Sequence, residues 1–210
     1  MINIKRLLII FTIISGLFSQ QITAQSINQV DDKGRRTGVW KKLYEDGKIR
    51  YTGTFQDGKE VGVFKFYERR SDYPTIIKEY TAKSDSAMVK FFSTKGTLKS
   101  SGMMLGKNRV GKWDYFFSNG KIFSEEFYKD GKLHGILKNY YPNGKVTEET
   151  YYINGLKEGA SKTYAEDGVL IEEVYYVNGK LNGPAIYYDL KGNIKEKGEY
   201  KDGARFGKWD

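Results

Sequence analysis

Cysteine is absent from the 210-residue chain. Its absence excludes disulfides, thiolate nucleophiles and lipid-modified cysteine, so stability has to come from packing. Histidine occurs once, at His134 in the segment "KLHG". Glu158 and Asn182 stand at the equivalent places of later segments, so His134 reads as a solvated turn residue. No spacing fits a zinc or calcium site. Proline is scarce, with three residues. Negative charge is in the minority, 26 Asp and Glu against 35 Lys and Arg, for a net charge of +9. The excess is spread along the chain, and "KGRR" at Lys33–Arg36 is the one basic run. Scattered charge of this kind suits a solvated surface.

Long hydrophobic runs are lacking too, with one exception. Leu7–Phe18 is apolar, follows Lys5 and Arg6, and precedes "SQQITAQS". This three-part layout is that of a secretory leader. The run is shorter than the roughly 18–20 residues that cross a bilayer; a retained anchor is the alternative. The expectation is a leader over residues 1–24, cleaved between Ala24 and Gln25. The mature chain would be exported to the periplasm, the outer surface or the medium, with no transmembrane segment left.

Glycine and aromatic residues are abundant, with 24 Gly, 17 Tyr and an aromatic share of 15%. Such a chain is not disordered. The glycines are periodic. Gly111, Gly135, Gly159, Gly183 and Gly207 recur every 24 residues, as do Gly38 and Gly62. The gap from Gly62 to Gly111 fits two units and one extra residue, with Ala87 in the missing place. Nine residues after each opening position lies a second glycine: Gly47, Gly96, Gly120, Gly144, Gly168 and Gly192. The unit at Gly62 carries "ERRSDYPTIIKEY" instead. After a short linker over residues 25–33, residues 34–210 form seven units and a C-terminal fragment, and a repeat of this length is one supersecondary unit.

Each unit reads as a β-hairpin, because short segments rich in Tyr, Phe, Val and Ile lie between Gly turns without helical periodicity. "YPNGK" at Tyr141–Lys145 suits a type I turn followed by a left-handed Gly, a three-residue loop. A two-residue Asn-Gly loop is the alternative, and it shifts the register by one. The apolar positions favour the longer loop. It pairs the fifth residue after each opening Gly (Leu43, Phe116, Tyr140) with the eleventh (Ile49, Ile122, Val146). Plain alternation then places the seventeenth (Phe55, Met104, Tyr128, Tyr152, Tyr176, Tyr200) on that same face. The same register sets Lys138 opposite Glu148 and Lys162 opposite Glu172.

The pattern G-x-x-x-x-Y-x-x-x-G-x-x-x-x-E-x-x-Y-x-x-G at Gly135–Gly155 and Gly159–Gly179 resembles the variant MORN repeat, typical of the family named after the bacterial YwqK antitoxin. The resemblance covers Gly34 to Asp210 and departs from the pattern at Ala87 and over Glu68–Lys83. It implies an all-β fold, an elongated single-layer antiparallel β-meander of 24-residue hairpin repeats. For function it implies a scaffold contacting proteins or lipids, with toxin neutralisation as one form.

No residues present themselves as catalytic, metal-binding or cofactor-binding, and the chain is not expected to be an enzyme. The pairs Glu148–Glu149 and Glu172–Glu173 point to opposite faces of a strand. "GKNRVGKW" and "NGKLNG" lack the GK[ST] ending of a phosphate loop and a following helix. Binding remains. The second and fourth positions after each opening carry Trp40, Phe64, Phe66, Phe91, Trp113, Tyr115, Tyr187 and Trp209. This stripe is either a partner surface, since exposed aromatic patches mark such surfaces, or a second core covered by sheet curvature and long side chains. The expected partner is a protein, with a toxin as one candidate. The alternative is an envelope module for anionic lipid, glycan or another polyanion; nucleic acid fits an exported chain poorly.

Overall fold

Two kinds of turn alternate along the chain and set its strands. Five of the outer turns are Asp57–Gly58, Asp130–Gly131, Asn154–Gly155, Asn178–Gly179 and Asp202–Gly203. Both residues of each have positive φ, for example 51° at Asn154 and 88° at Gly155. Ile153 and Leu156 pair directly across the third of them. This is the two-residue type I′ loop, whose twist matches that of the strands. Asn and Asp serve at the first position because they tolerate the left-handed region better than other side-chain-bearing residues. The inner turns are the expected three-residue loops. The Gly144 N–H donates to the Tyr141 carbonyl, and the Tyr141 N–H to the Lys145 carbonyl, each at 2.8 Å. Gly144 has a φ of 90°.

The computed structural model describes residues 26–80 and 85–210. They form one open antiparallel sheet of 17 strands in meander order, each strand pairing with its sequence neighbour. Seven hairpins make up nearly all of it, from Arg36–Leu43 with Ile49–Gln56 to Lys180–Tyr188 with Ile194–Lys201. Ala87 pairs with Met104 as Gly38 pairs with Phe55, so it does occupy an opening position. The expected leader and its cleavage point lie outside the described residues. The sheet begins within the stretch that reads as a linker: Gln29–Val30 pairs with Arg36–Thr37.

One feature of the register overturns an expectation. Tyr140 pairs with Val146 as anticipated, but the next pair is Asn139 with Glu148, and Thr147 is passed over. Arg50, Lys99, Phe123, Ile171 and Lys195 are passed over in the same way. An unpaired residue is a β-bulge, and alternation does not carry through it. The seventeenth residue therefore sits with the Trp stripe and not with the fifth and eleventh. The Trp40 and Phe55 rings lie 5.7 Å apart, and those of Tyr200 and Trp209 5.1 Å. The Tyr115 and Tyr128 hydroxyls are 3.3 Å apart. For the same reason Lys138 faces Glu149 rather than Glu148, at 2.6 Å, and Lys162 faces Glu173 rather than Glu172, at 3.5 Å.

The core runs as a line along the stripe face. Phe64, Val89, Trp113 and Ala185 are 0% exposed. Trp113 lies flat over Gly102 of the neighbouring strand, where a Cβ would come within 2.4 Å of the indole. Phe64 over Gly53 and Trp209 over Gly198 repeat the arrangement. Arg109 covers the other side of Trp113, its guanidinium 4.6 Å from the ring centroid. Toward the C-terminus smaller side chains fill the line. Thr150 and Ser161 share a 2.6 Å hydroxyl hydrogen bond, and Val174 pairs with Ala185.

The two glycine roles separate in a stability measurement. Gly144→Ala meets nothing within 4 Å and strains only the backbone, so it should cost about 1 kcal/mol. Gly102→Ala drives a methyl into the buried indole and should cost more, about 2–3 kcal/mol or above. Urea midpoints of the two variants test the order, and a milder Gly102→Ala would refute the stacking account.

Candidate functional site

The structure divides the predicted stripe. Phe64 and Trp113 are fully buried. They are core and cannot form a contact surface, because same-face neighbours close over them: Phe91, Tyr115, Tyr128 and Met104 pack around Trp113. Trp40 is half-buried and donates its indole N–H to the Gln29 carbonyl at 3.0 Å. Trp209 is half-buried between Tyr187, Tyr200 and the Arg205 guanidinium. Phe66, Phe91, Tyr115 and Tyr187 are half-buried along one margin of the core line.

Burial and hydrogen bonding set the chemistry of this face. Desolvation, then hydrogen bonding to Tyr128 and Glu126, raises the Tyr115 hydroxyl far above its ordinary pKa. Arg109 donates to Tyr115 at 2.7 Å and to Tyr128 at 3.1 Å. These groups hold one another in place and leave no free base or nucleophile among them.

The opposite face carries an exposed apolar patch that sequence reasoning missed. Phe127, Ile136, Tyr151, Ile153, Leu156 and Val177 are each between 40% and 50% exposed. Ile136 pairs with Tyr151 and Ile153 with Leu156, while Tyr151 and Ile153 alternate onto one side of their strand. Phe127 lies against the Gly135 backbone, where a Cβ would be 3.2 Å away. The patch spans five strands, about 19 Å. Phe127 and Tyr151 are sixteenth residues of their units. Alternation without the bulge puts them on the stripe face, which is why they escaped notice.

A line of charges borders the patch. Glu125, Lys138, Glu149, Lys162 and Glu173 are successive cross-strand neighbours of alternating sign. Lys112 reaches both Asp114, at 3.1 Å, and Glu125. The Lys112 ammonium, then the Tyr140 hydroxyl, hold the Glu125 carboxyl below its ordinary pKa. Glu149 raises the Lys138 ammonium in turn. The border is thus polar yet internally neutralised. His134 is half-buried rather than solvated, and its backbone N–H donates to the Phe127 carbonyl at 2.7 Å. Among the described residues no three His, Asp or Glu side chains converge as a metal site.

The sequence pattern of the MORN repeat variant matches residues 36–57, 109–130, 133–154, 157–178 and 181–202, more than half of the chain. This chain belongs to the MORN repeat variant family. The matched stretches are five of the seven hairpins. The other two hold the long inner turn of the Gly62 unit and the Ala87 opening, and they keep the same sheet pairing. No curated protein matches the chain. Among solved structures it is similar to crystal structures of TarM. One is 14% identical over 49% of this chain and 20% of TarM, with a TM-score of 0.35. The other is a single-residue mutant of S. aureus TarM in complex with fondaparinux, α-GlcNAc-glycerol and UDP. It is 19% identical over 51% of this chain and 21% of TarM, with a TM-score of 0.34. The chain therefore spans about a fifth of TarM's length.

Burial of Trp113 makes a direct prediction. Trp113→Ala should destabilise the MORN array by about 3–5 kcal/mol and lower the melting temperature by at least about 6 °C. Thermal unfolding followed by near-UV circular dichroism reads both. A change within a degree or two would mean that the indole is not core.

Proposed function

We propose that this MORN-repeat protein is a non-catalytic scaffold that holds a protein partner on the patch around Ile136, Tyr151 and Leu156. The observation that supports this most is the position of these side chains: they are exposed on the face opposite the core and contribute nothing to burying it. Contiguous exposed apolar surface of this kind marks interaction sites in soluble proteins. The border supports a protein over a polyanion. Its lysines are already neutralised by Glu149 and Glu173, so it offers little free positive charge. A fitting partner presents an apolar face with a ring of polar groups around it, the anatomy of an ordinary protein interface. A toxin held inactive by such a scaffold is one partner of this description, in line with the resemblance to the YwqK family.

Ile136→Asp and Tyr151→Asp place a charge in the patch without touching the core. Both should abolish co-purification of the partner recovered with the wild type, with melting temperatures within about 2 °C of it. Retention of the same partner by both variants would overturn the assignment. Export is part of the proposal, resting on the layout of Lys5 to Ala24. Protein recovered from the envelope should have the intact mass of a chain starting at Gln25, and a mass that includes Met1 would argue for a retained anchor.

A further inference from the structure

The N-terminal half of the stripe face carries a groove that the core does not use up. Phe66, Ile76, Phe91, Ser100 and Tyr115 are successive cross-strand neighbours. The three rings therefore recur at every second strand, about 9.5 Å apart. Two open cavities of about 330 and 380 Å³ lie along this line and share Phe91 and Lys99 as lining residues. The cations of the groove are placed by the bulges. Arg50 and Lys99 are two of the unpaired residues, both exposed. Neither has a carboxylate partner among the described residues. Arg109 adds a third charge over the Tyr115 ring, 5.6 Å from its centroid. Glu68 is the one acidic residue in the lining.

The same line changes character in the C-terminal half. The positions equivalent to Ser100 become Glu148, Glu172 and Glu196, and two of the three bulge residues there are Thr147 and Ile171. One face of one sheet thus carries two cations without carboxylate partners at one end, whereas at the other Glu148 is paired with Lys157 and Glu196 with Arg205.

We propose that the groove from Arg50 to Phe123 binds an extended anionic polysaccharide. Its sugar faces would stack on Phe66, Phe91 and Tyr115, and its carboxylate or sulfate groups would meet Arg50 and Lys99. Two cations without carboxylate partners beside the rings suit an anionic ligand. The ring spacing selects among anions, because a two-strand interval matches the disaccharide repeat of an extended glycan. A duplex, with bases stacked at about 3.4 Å, would present no base faces to the rings; an unstacked single strand is separated by the oligo-dT arm of the test. The rings are also half-buried, which suits a chain laid in a groove better than insertion into a bilayer. In the C-terminal half two of the three bulge residues carry no charge and a carboxylate takes the place of Ser100, so the anion would be held less well there. This site is independent of the protein-binding patch, on the other face.

The test is isothermal titration of the full chain with oligogalacturonate, a neutral cello-oligosaccharide of equal length, an oligo-dT strand, and vesicles containing phosphatidylglycerol. Oligogalacturonate should bind at least about tenfold more tightly than each of the others. Arg50→Glu with Lys99→Glu should weaken it by at least about tenfold, and Phe66→Leu should also weaken it. Lys195→Glu, at the equivalent bulge in the last full unit, should leave it unchanged. Absence of oligogalacturonate binding, an equal loss with Lys195→Glu, or tighter binding of oligo-dT or vesicles would each overturn the proposal.

Discussion

A sheet of one layer has no second sheet or helix against which to bury its core. Every large side chain must instead be covered by neighbours on its own face. The stacking of Trp113 on Gly102 is how this protein meets that constraint. An indole standing upright on a single sheet would remain in water. Laid flat across the adjacent strand it is 0% exposed, but only if that strand has no Cβ beneath it. The constraint then spreads outward. Arg109 must lie over the indole, Tyr115 and Tyr128 must close its sides, and their hydroxyls must pair with one another and with Arg109. Where the line carries no large ring the requirement relaxes, and Thr150, Ser161, Val174 and Ala185 suffice.

The bulge after six of the seven inner turns decides what lies on each face. Its presence explains why part of the structure was legible in the sequence and part was not. The period, the hairpins and the three-residue loops were readable because glycine has a conformational job at Gly144 and Gly168 that other residues do poorly. The opening position at Ala87 was readable from spacing alone. The bulge leaves no comparable trace. The residues it passes over are Arg50, Lys99, Phe123, Thr147, Ile171 and Lys195, and they share neither size, charge nor shape. Alternation carried through such a point gives the wrong face to everything beyond it. The Trp stripe was recognised because it precedes the bulge. The Phe127–Tyr151 patch was missed because it follows it.

A repeat array tolerates this division of labour because each hairpin depends mainly on its neighbours. The thirteenth residue of a unit can be Ser100 in one and Glu172 in another without disturbing the turns that define the fold. The same freedom lets the two faces diverge. On one, lysines and glutamates neutralise one another and leave an apolar patch beside them. On the other, Arg50 and Lys99 are left without carboxylate partners beside half-buried rings. The bulge connects the two outcomes. By leaving one residue unpaired in six of the seven units, it moves Arg50 and Lys99 to the margin of the groove with only a local break in the ladder. By shifting the rest of the strand, it brings Lys138 to Glu149 and turns Tyr151 outward. Charge character and face assignment are therefore coupled through the same local irregularity.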